Sequence, residues 1–182
     1  MTAEAPSQAS PFWQFSLRFY RQPRVADACI TLQEEAGVDV NLLLFLLWHA
    51  TRKRTLSAAE VAQLESRIGP WREATVVPLR TVRRALKAPP ALVAPAAAEL
   101  FRTKIKAIEL EAERLQQEAM FELARSSPLG HEALGHEATS VQEAARGNVA
   151  AYAAIATAAF PKAATETLLA ALAGLAHQKE EE

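Results

Sequence analysis

The stretch "VDVNLLLFLLWHATRKR", Val38 to Arg54, decides the fold. Its centre, Leu42 to Trp48, is seven apolar residues without a polar break, and Arg52, Lys53 and Arg54 follow closely. A membrane span needs about 20 apolar residues in a row. This run is far too short, with Asp39 and Asn41 before it and His49 directly behind. A short helix that is hydrophobic all round belongs inside a bundle, where neighbours cover every side. Asp39 is its expected N-cap. The first expectation is therefore a central apolar helix over about 38–52.

The flanks read as helices too. Ser10-Pro11 supplies a capping hydroxyl and a proline at the first helical position, where a missing N–H costs nothing. "FWQFSLRFY" then places Phe12, Phe15 and Phe19 on one aromatic face. Pro23 ends that helix. Val25, Ala28, Cys29, Leu32 and Ala36 recur at helical steps, and Gly37 stops the second helix. Downstream, Ser57 and Glu60 form a capping-box pattern. Gly69-Pro70 is expected to end that helix and open the next, in which Pro78 predicts a kink or break near Val77.

"APPALVAPAA" is a turn, and a long helix is expected from Ala96 to Ala124. Its apolar seam reads Phe101, Ile105, Ile108, Ala112, Leu115 and Ala119, with coiled-coil spacing. "RSSPLGHEALGHEATS" breaks the period and reads as a loop. Two alanine-rich helices close the chain, one lined by Val149, Tyr152, Ile155 and Ala159, the other by Leu168, Leu172 and Leu175. The expected organisation is a disordered segment over 1–9, an all-helical domain over 10–176 with loop breaks near 88–96 and 126–139, and a disordered acidic tail over 177–182. The fold class is all-α: one bundle of about seven helices.

Composition narrows the function. The chain has 182 residues, half of them hydrophobic, and a net charge of -1, so no global attraction to nucleic acid or anionic membranes follows. One cysteine makes no internal disulfide, and "MTAEAPSQAS" has neither the cationic nor the apolar region of a secretory signal, so the expected compartment is the cytoplasm. Charge is uneven. Residues 51–88 carry nine cations and three acids, whereas Glu109 to the end carries twelve acids and five cations. Either the two parts pack against each other or both are solvated faces.

No cofactor or metal site is read. His131-Glu132 and His136-Glu137 are five apart, which breaks the four-residue spacing that puts two histidines on one helical face. Glu109 and Glu113 lie one turn apart and either share a metal or face the Arg80–Arg84 stripe. The chain's two aspartates, Asp27 and Asp39, are too few for aspartate-rich magnesium motifs. No Walker loop, dinucleotide fingerprint or nucleophile elbow occurs. "LSAAEVAQL" and "TVRRALK" have the words of a helix-turn-helix, but the segment between them is too long and Pro78 interrupts it, so duplex recognition is disfavoured. Cys29 on an apolar face reads as an inert core thiol. Asn41 in the most apolar helix needs a partner if buried. It either hydrogen-bonds structurally or forms a polar pocket with Arg72 or Arg80.

"FWQFSLRFY", "CITLQEEAGVDVNLLLFLLWHA", the spaced "W…PLRTVRRALK" and "KIKAIELEAERLQQ" together resemble a proteobacterial family of small uncharacterised proteins, a domain of unknown function, over about residues 11–125. The resemblance implies a bacterial helical protein and supplies no activity. On the residues alone, the expectation is a non-catalytic binding or scaffolding protein. Its contact set is Trp48, His49, Trp71, Arg72, Arg80, Arg83, Arg84 and Lys87, meeting a protein partner that is acidic or a second copy through the long helix. The alternative is a small-molecule or lipid-binding protein, an enzyme included, with a pocket lined by Trp48, Trp71, Phe12 and leucines.

Overall fold

Asp39 starts the central helix in the computed structural model, which describes residues 9–126 and 135–178. Its Oδ1 accepts from the backbone N–H groups of Asn41 at 2.8 Å and Leu42 at 3.4 Å. Helix α3, Val40–Ala50, then runs with every residue from Asn41 to Ala50 buried. Such a helix has no stripe to offer solvent, so the other elements arrange around it. The expected first nine residues, apart from Ala9, lie outside the described part, as do His131 and most of the glycine-histidine echo.

Helix α1, Pro11–Tyr20, begins as the sequence predicts, with Ser10 Oγ accepting from Trp13 N–H at 3.1 Å. It lays Phe12, Phe15 and Phe19 on the core, and the Phe12 ring lies 5.1 Å from Phe45 and 5.5 Å from Trp48. Helix α2, Val25–Ala36, ends at Gly37 with a left-handed φ of 65°, a conformation that glycine adopts without steric cost. Cys29 is fully buried there, and burial pushes its thiol up to about 12.

After the short strand β1, Arg54–Thr55, helix α4 spans Ala58–Trp71 with the capping box of Ser57 and Glu60 in place. Gly69-Pro70 does not end it. The helix continues through Pro70 into a π turn, Arg72–Val76, and on into α5, Val77–Ala85. The irregularity expected near Val77 is thus a widened turn rather than a break. Counting α4, the π turn and α5 as one rod, the described residues form seven helical rods.

Helix α6, Pro95–Arg125, matches the expected length but not the expected face. Phe101, Ile108 and Leu115 of the predicted seam are 51%, 52% and 45% exposed. The buried residues are Ala98, Glu109, Ala112, Gln116, Gln117, Met120 and Ala124, a face about a quarter turn away at 100° per residue. Helix α7, Val141–Ile155, rather than the seam, is the main cover of α3. Helix α8, Lys162–Gln178, packs on α2 and reaches two residues into the expected tail, while Ala159 falls in the turn between α7 and α8.

A two-residue strand, β2 at His136–Glu137, pairs antiparallel with β1 and was not foreseen. Gly135 admits it: its φ is 82°, and a Cβ there would lie 2.5 Å from the Thr55 carbonyl oxygen. The same corner is locked by Asn148 of α7, which is fully buried. Its Nδ2 donates to the carbonyls of Leu46 at 2.8 Å and Arg54 at 2.9 Å, and its Oδ1 accepts from Leu56 N–H at 2.6 Å. Asn148→Ala removes a hydrogen bond from each of three backbone groups, so unfolding in urea should show a loss of about 2–4 kcal/mol. A loss below 1 kcal/mol, which is about the net value of one ordinary hydrogen bond, would contradict the locking role.

Candidate functional site

The site grows from the start of α3. The second oxygen of Asp39, Oδ2, accepts from Gln116 Nε2 at 2.7 Å and from Arg72 Nη1 at 3.2 Å. A carboxylate only accepts, so Gln116 must turn its nitrogen toward Asp39. That leaves Gln116 Oε1 to accept from Asn41 Nδ2 at 2.9 Å, and Asn41 Oδ1 to accept from Gln117 Nε2 at 2.8 Å. Each amide is oriented by the one before it. The chain of donors ends at Gln117 Oε1, which is buried and accepts from no described group. Ser16 Oγ, one wall over on α1, is likewise buried with no partner among the described residues.

Both residues line a cavity of about 280 Å³ where α1, α3 and α6 converge. Trp13, Leu17, Ile30, Leu44 and Leu110 provide its apolar wall; Tyr20, Asn41, Glu113 and Arg80 provide polar edges. Burial pushes the Tyr20 hydroxyl up to about 12, with the negative charge of neighbours adding to it, so it is a neutral donor. Wider clefts elsewhere, of about 480 Å³ and 560 Å³, have mixed linings: one runs from α1 to the end of α3, the other lies between the α1–α2 turn and the alanines of α8. Neither has buried unpaired polar groups among its lining residues.

Beside the cavity stands an arginine–glutamate cluster. Glu109 is 5% exposed. It accepts from Arg80 Nε at 3.2 Å and from Arg83 through both Nε and Nη2, while Arg80 Nη2 reaches Glu113 at 2.9 Å. Hydrogen bonding to Glu109 raises the Arg83 pKa. For Arg72, burial opposes the charge, but Asp39 and Glu65 outweigh it and hold the guanidinium above its usual value. Burial also raises the Glu113 carboxyl, and the Arg80 charge only partly offsets it. Of the two roles open to Glu109 and Glu113, they face the arginine stripe.

The predicted contact residues therefore scatter. Arg80 and Arg83 meet on Glu109, Arg72 joins the Asp39 cap, and exposed Arg84 pairs with Glu34 at 2.7 Å. Lys87 is exposed at the end of α5. Trp48 and His49 are core residues, with His49 4.5 Å from the Phe45 ring and 4.9 Å from Trp48. Trp71 lies partly exposed on α6, its indole N–H donating to the Ala112 carbonyl at 3.1 Å. Phe12, Trp48 and Trp71 thus do not assemble a common pocket. The cavity instead uses Trp13, Ser16, Tyr20 and Gln117. Asn41 was the one signal for it, since a buried amide in an apolar helix implies a polar counterpart.

A family model, Protein of unknown function (DUF2390), matches residues 11–120, and the chain belongs to that family. The match contains every cavity and cluster residue just named and excludes Asn148 and Tyr152. No curated protein and no solved structure matches the chain. No helix of the described residues is long and apolar enough to cross a membrane.

The half-buried Glu113 carboxyl sets a pH dependence. Above the ordinary glutamate value of 4.5, the folded state still holds a proton that the unfolded chain has released. Stability therefore falls as pH rises from there through the folded value. Urea midpoints of the wild type should decline across that window, and Glu113→Gln, which cannot ionise, should lose that part of the decline. The same decline in both proteins would show that Glu113 does not carry it.

Proposed function

We propose that this DUF2390 protein binds a small organic molecule in the cavity between α1, α3 and α6. The observation that carries this reading is the polarised relay from Asp39 through Gln116 and Asn41 to Gln117. It leaves an acceptor with no described partner in the wall of a space of about 280 Å³. A buried polar atom without a partner costs about 1–3 kcal/mol. Ser16, on the α1 wall of the same cavity, adds a second such atom. Apolar walls with a few convergent polar groups are the usual composition of ligand sites, and about 300 Å³ is the small end of their range. The molecule that fits is metabolite-sized, with an apolar body against Trp13, Leu17 and Leu110 and an N–H or O–H donor directed at Gln117.

The basic face over 72–87 supports a macromolecular partner less well. Arg72, Arg80, Arg83 and Arg84 are each held by carboxylates of the same chain. Phosphates or an acidic protein would have to displace Asp39, Glu109 and Glu34 to reach them.

A ligand-observed NMR screen of small amides, alcohols and amines with apolar bodies tests the reading, alongside native mass spectrometry of the protein purified from its own host. Leu17 is 38% exposed at the rim, so Leu17→Trp should block the cavity without unfolding the chain. Ser16→Ala should weaken a genuine ligand by about fivefold to tenfold, the worth of one hydrogen bond. Binders that Leu17→Trp leaves unaffected, or a screen and a native mass that both return the bare chain, would overturn the proposal.

A further inference from the structure

Helix α6 has an apolar line that the fold does not use. Phe101, Ile108 and Leu115 recur every seven residues on one side of the helix, each about half exposed, with partly covered Ile105 between the first two. Seven-residue recurrence with a four–three alternation is the pattern of a helix that packs along another helix. Isolated exposed leucines need no explanation, but an aligned apolar row on a long helix does. The row continues onto Trp71, 40% exposed and fixed beside it by its bond to the Ala112 carbonyl.

We propose that this row is a self-association surface on which α6 of a second copy lies antiparallel. Charge selects that occupant and that direction. Residues 96–108 of α6 carry Arg102, Lys104 and Lys106 against Glu99, whereas residues 109–122, leaving out Glu109 and Glu113, which Arg80 and Arg83 already neutralise, carry Glu111, Glu118 and Glu122 against Arg114. Two antiparallel copies set the cationic half of each against the acidic half of the other. Two parallel copies set like against like.

The spacing also fixes the register. With Phe101, Ile108 and Leu115 in one core position and Ile105 and Ala112 in the other, antiparallel packing places Ile105 opposite the second copy's Ile108. It also brings Phe101 to the level of the second copy's Ala112, which is buried, so the surface Phe101 meets there is the exposed Trp71 bonded to that residue's carbonyl. Exposed Lys104 then flanks exposed Glu111 of the second copy. Sliding the helices by one heptad would face Glu111 with its own copy and lose that pair. The row buries little beyond one helix side, so the contact belongs with small, reversible interfaces. This inference does not depend on the cavity.

Sedimentation equilibrium of the full chain over a wide concentration series reads the result. The wild type should pass from monomer to dimer with rising concentration. Ile108→Glu should weaken the dimer by at least about tenfold, because it removes a buried apolar side chain from both copies. Since Ile108 is 52% exposed, its urea midpoint should stay near that of the wild type. Lys104→Glu should also weaken the dimer, and adding Glu111→Lys should restore it. A chain that stays monomeric at every concentration would overturn the proposal, as would a dimer indifferent to Ile108→Glu. A Lys104→Glu defect that Glu111→Lys fails to repair would overturn the antiparallel register.

Discussion

One buried carboxylate joins four parts of this fold. Asp39 Oδ1 caps α3, its Oδ2 takes Gln116 of α6 and Arg72 of the π turn, and its own N–H donates to the Tyr152 hydroxyl of α7 at 2.9 Å. An apolar helix such as α3 can slide or rotate among apolar neighbours at small cost, because dispersion has no direction. Hydrogen bonds to a fixed carboxylate do have direction. The side chain of Asp39 is only 4% exposed, so its charge is tolerable only with donors in place on every side. Any shift of α6 or the π turn along α3 would strip it of partners, and a shift of α7 would leave the Asp39 N–H without the Tyr152 hydroxyl. Burying an ion pair is weak evidence for net stability, but it sets the relative positions of α3, α6, α7 and the π turn.

Much of this was legible in the sequence because it is local. The caps at Ser10, Asp39 and Ser57 need only neighbours three residues away, and all three form as predicted. The all-round apolar run over Leu42 to Trp48 admits one place in a protein, the interior. Even the long-range pairing of the Arg80 stripe with Glu109 and Glu113 was open to reading, since complementary charge and helical spacing were both visible. The face of α6 was not. Periodicity finds faces, and the rule that the apolar face goes inward chose Phe101, Ile108 and Leu115. That rule fails when the interior already presents a carboxylate and an amide. Gln116 and Gln117 go inward because Asp39 and Asn41 demand donors there, and the apolar row is turned out as a consequence. Asn148 was missed for a related reason: its three partners are backbone groups of segments about a hundred residues away. No side-chain pattern announces them.

The π turn explains how the arginines reach their carboxylates. Val77 N–H bonds to the Arg72 carbonyl, five residues back, so the rod contains one residue more per turn at that point. An inserted residue rotates everything after it by about 100° relative to a continuous α-helix. Arg80 and Arg83 lie beyond the turn and Arg72 at its start. With the insertion, Arg72 serves the Asp39 cap while Arg80 and Arg83 serve Glu109 on the same α6. Pro78 fits this arrangement. It sits at the second position of α5, where its lacking N–H is cheap because the widened turn has already displaced the normal acceptor.

The polar interior of α6 bears on function through what folding alone requires. A relay of buried amides contributes little net stability, because each bond replaces one made to water. Apolar residues of similar volume would hold α6 to α3 at least as well. Folding therefore does not account for three amides in series whose last acceptor has no partner among the described residues. Nor is the position random: the relay begins at the residue that fixes the whole arrangement, and it ends in the wall of a cavity also lined by Ser16, whose hydroxyl has no partner among the described residues. A group bonded to Gln117 is connected through Asn41 and Gln116 to Asp39, and from there to α3, α7 and the π turn. A molecule bonded there would thereby be joined, by directional bonds, to the constraint on which the fold depends.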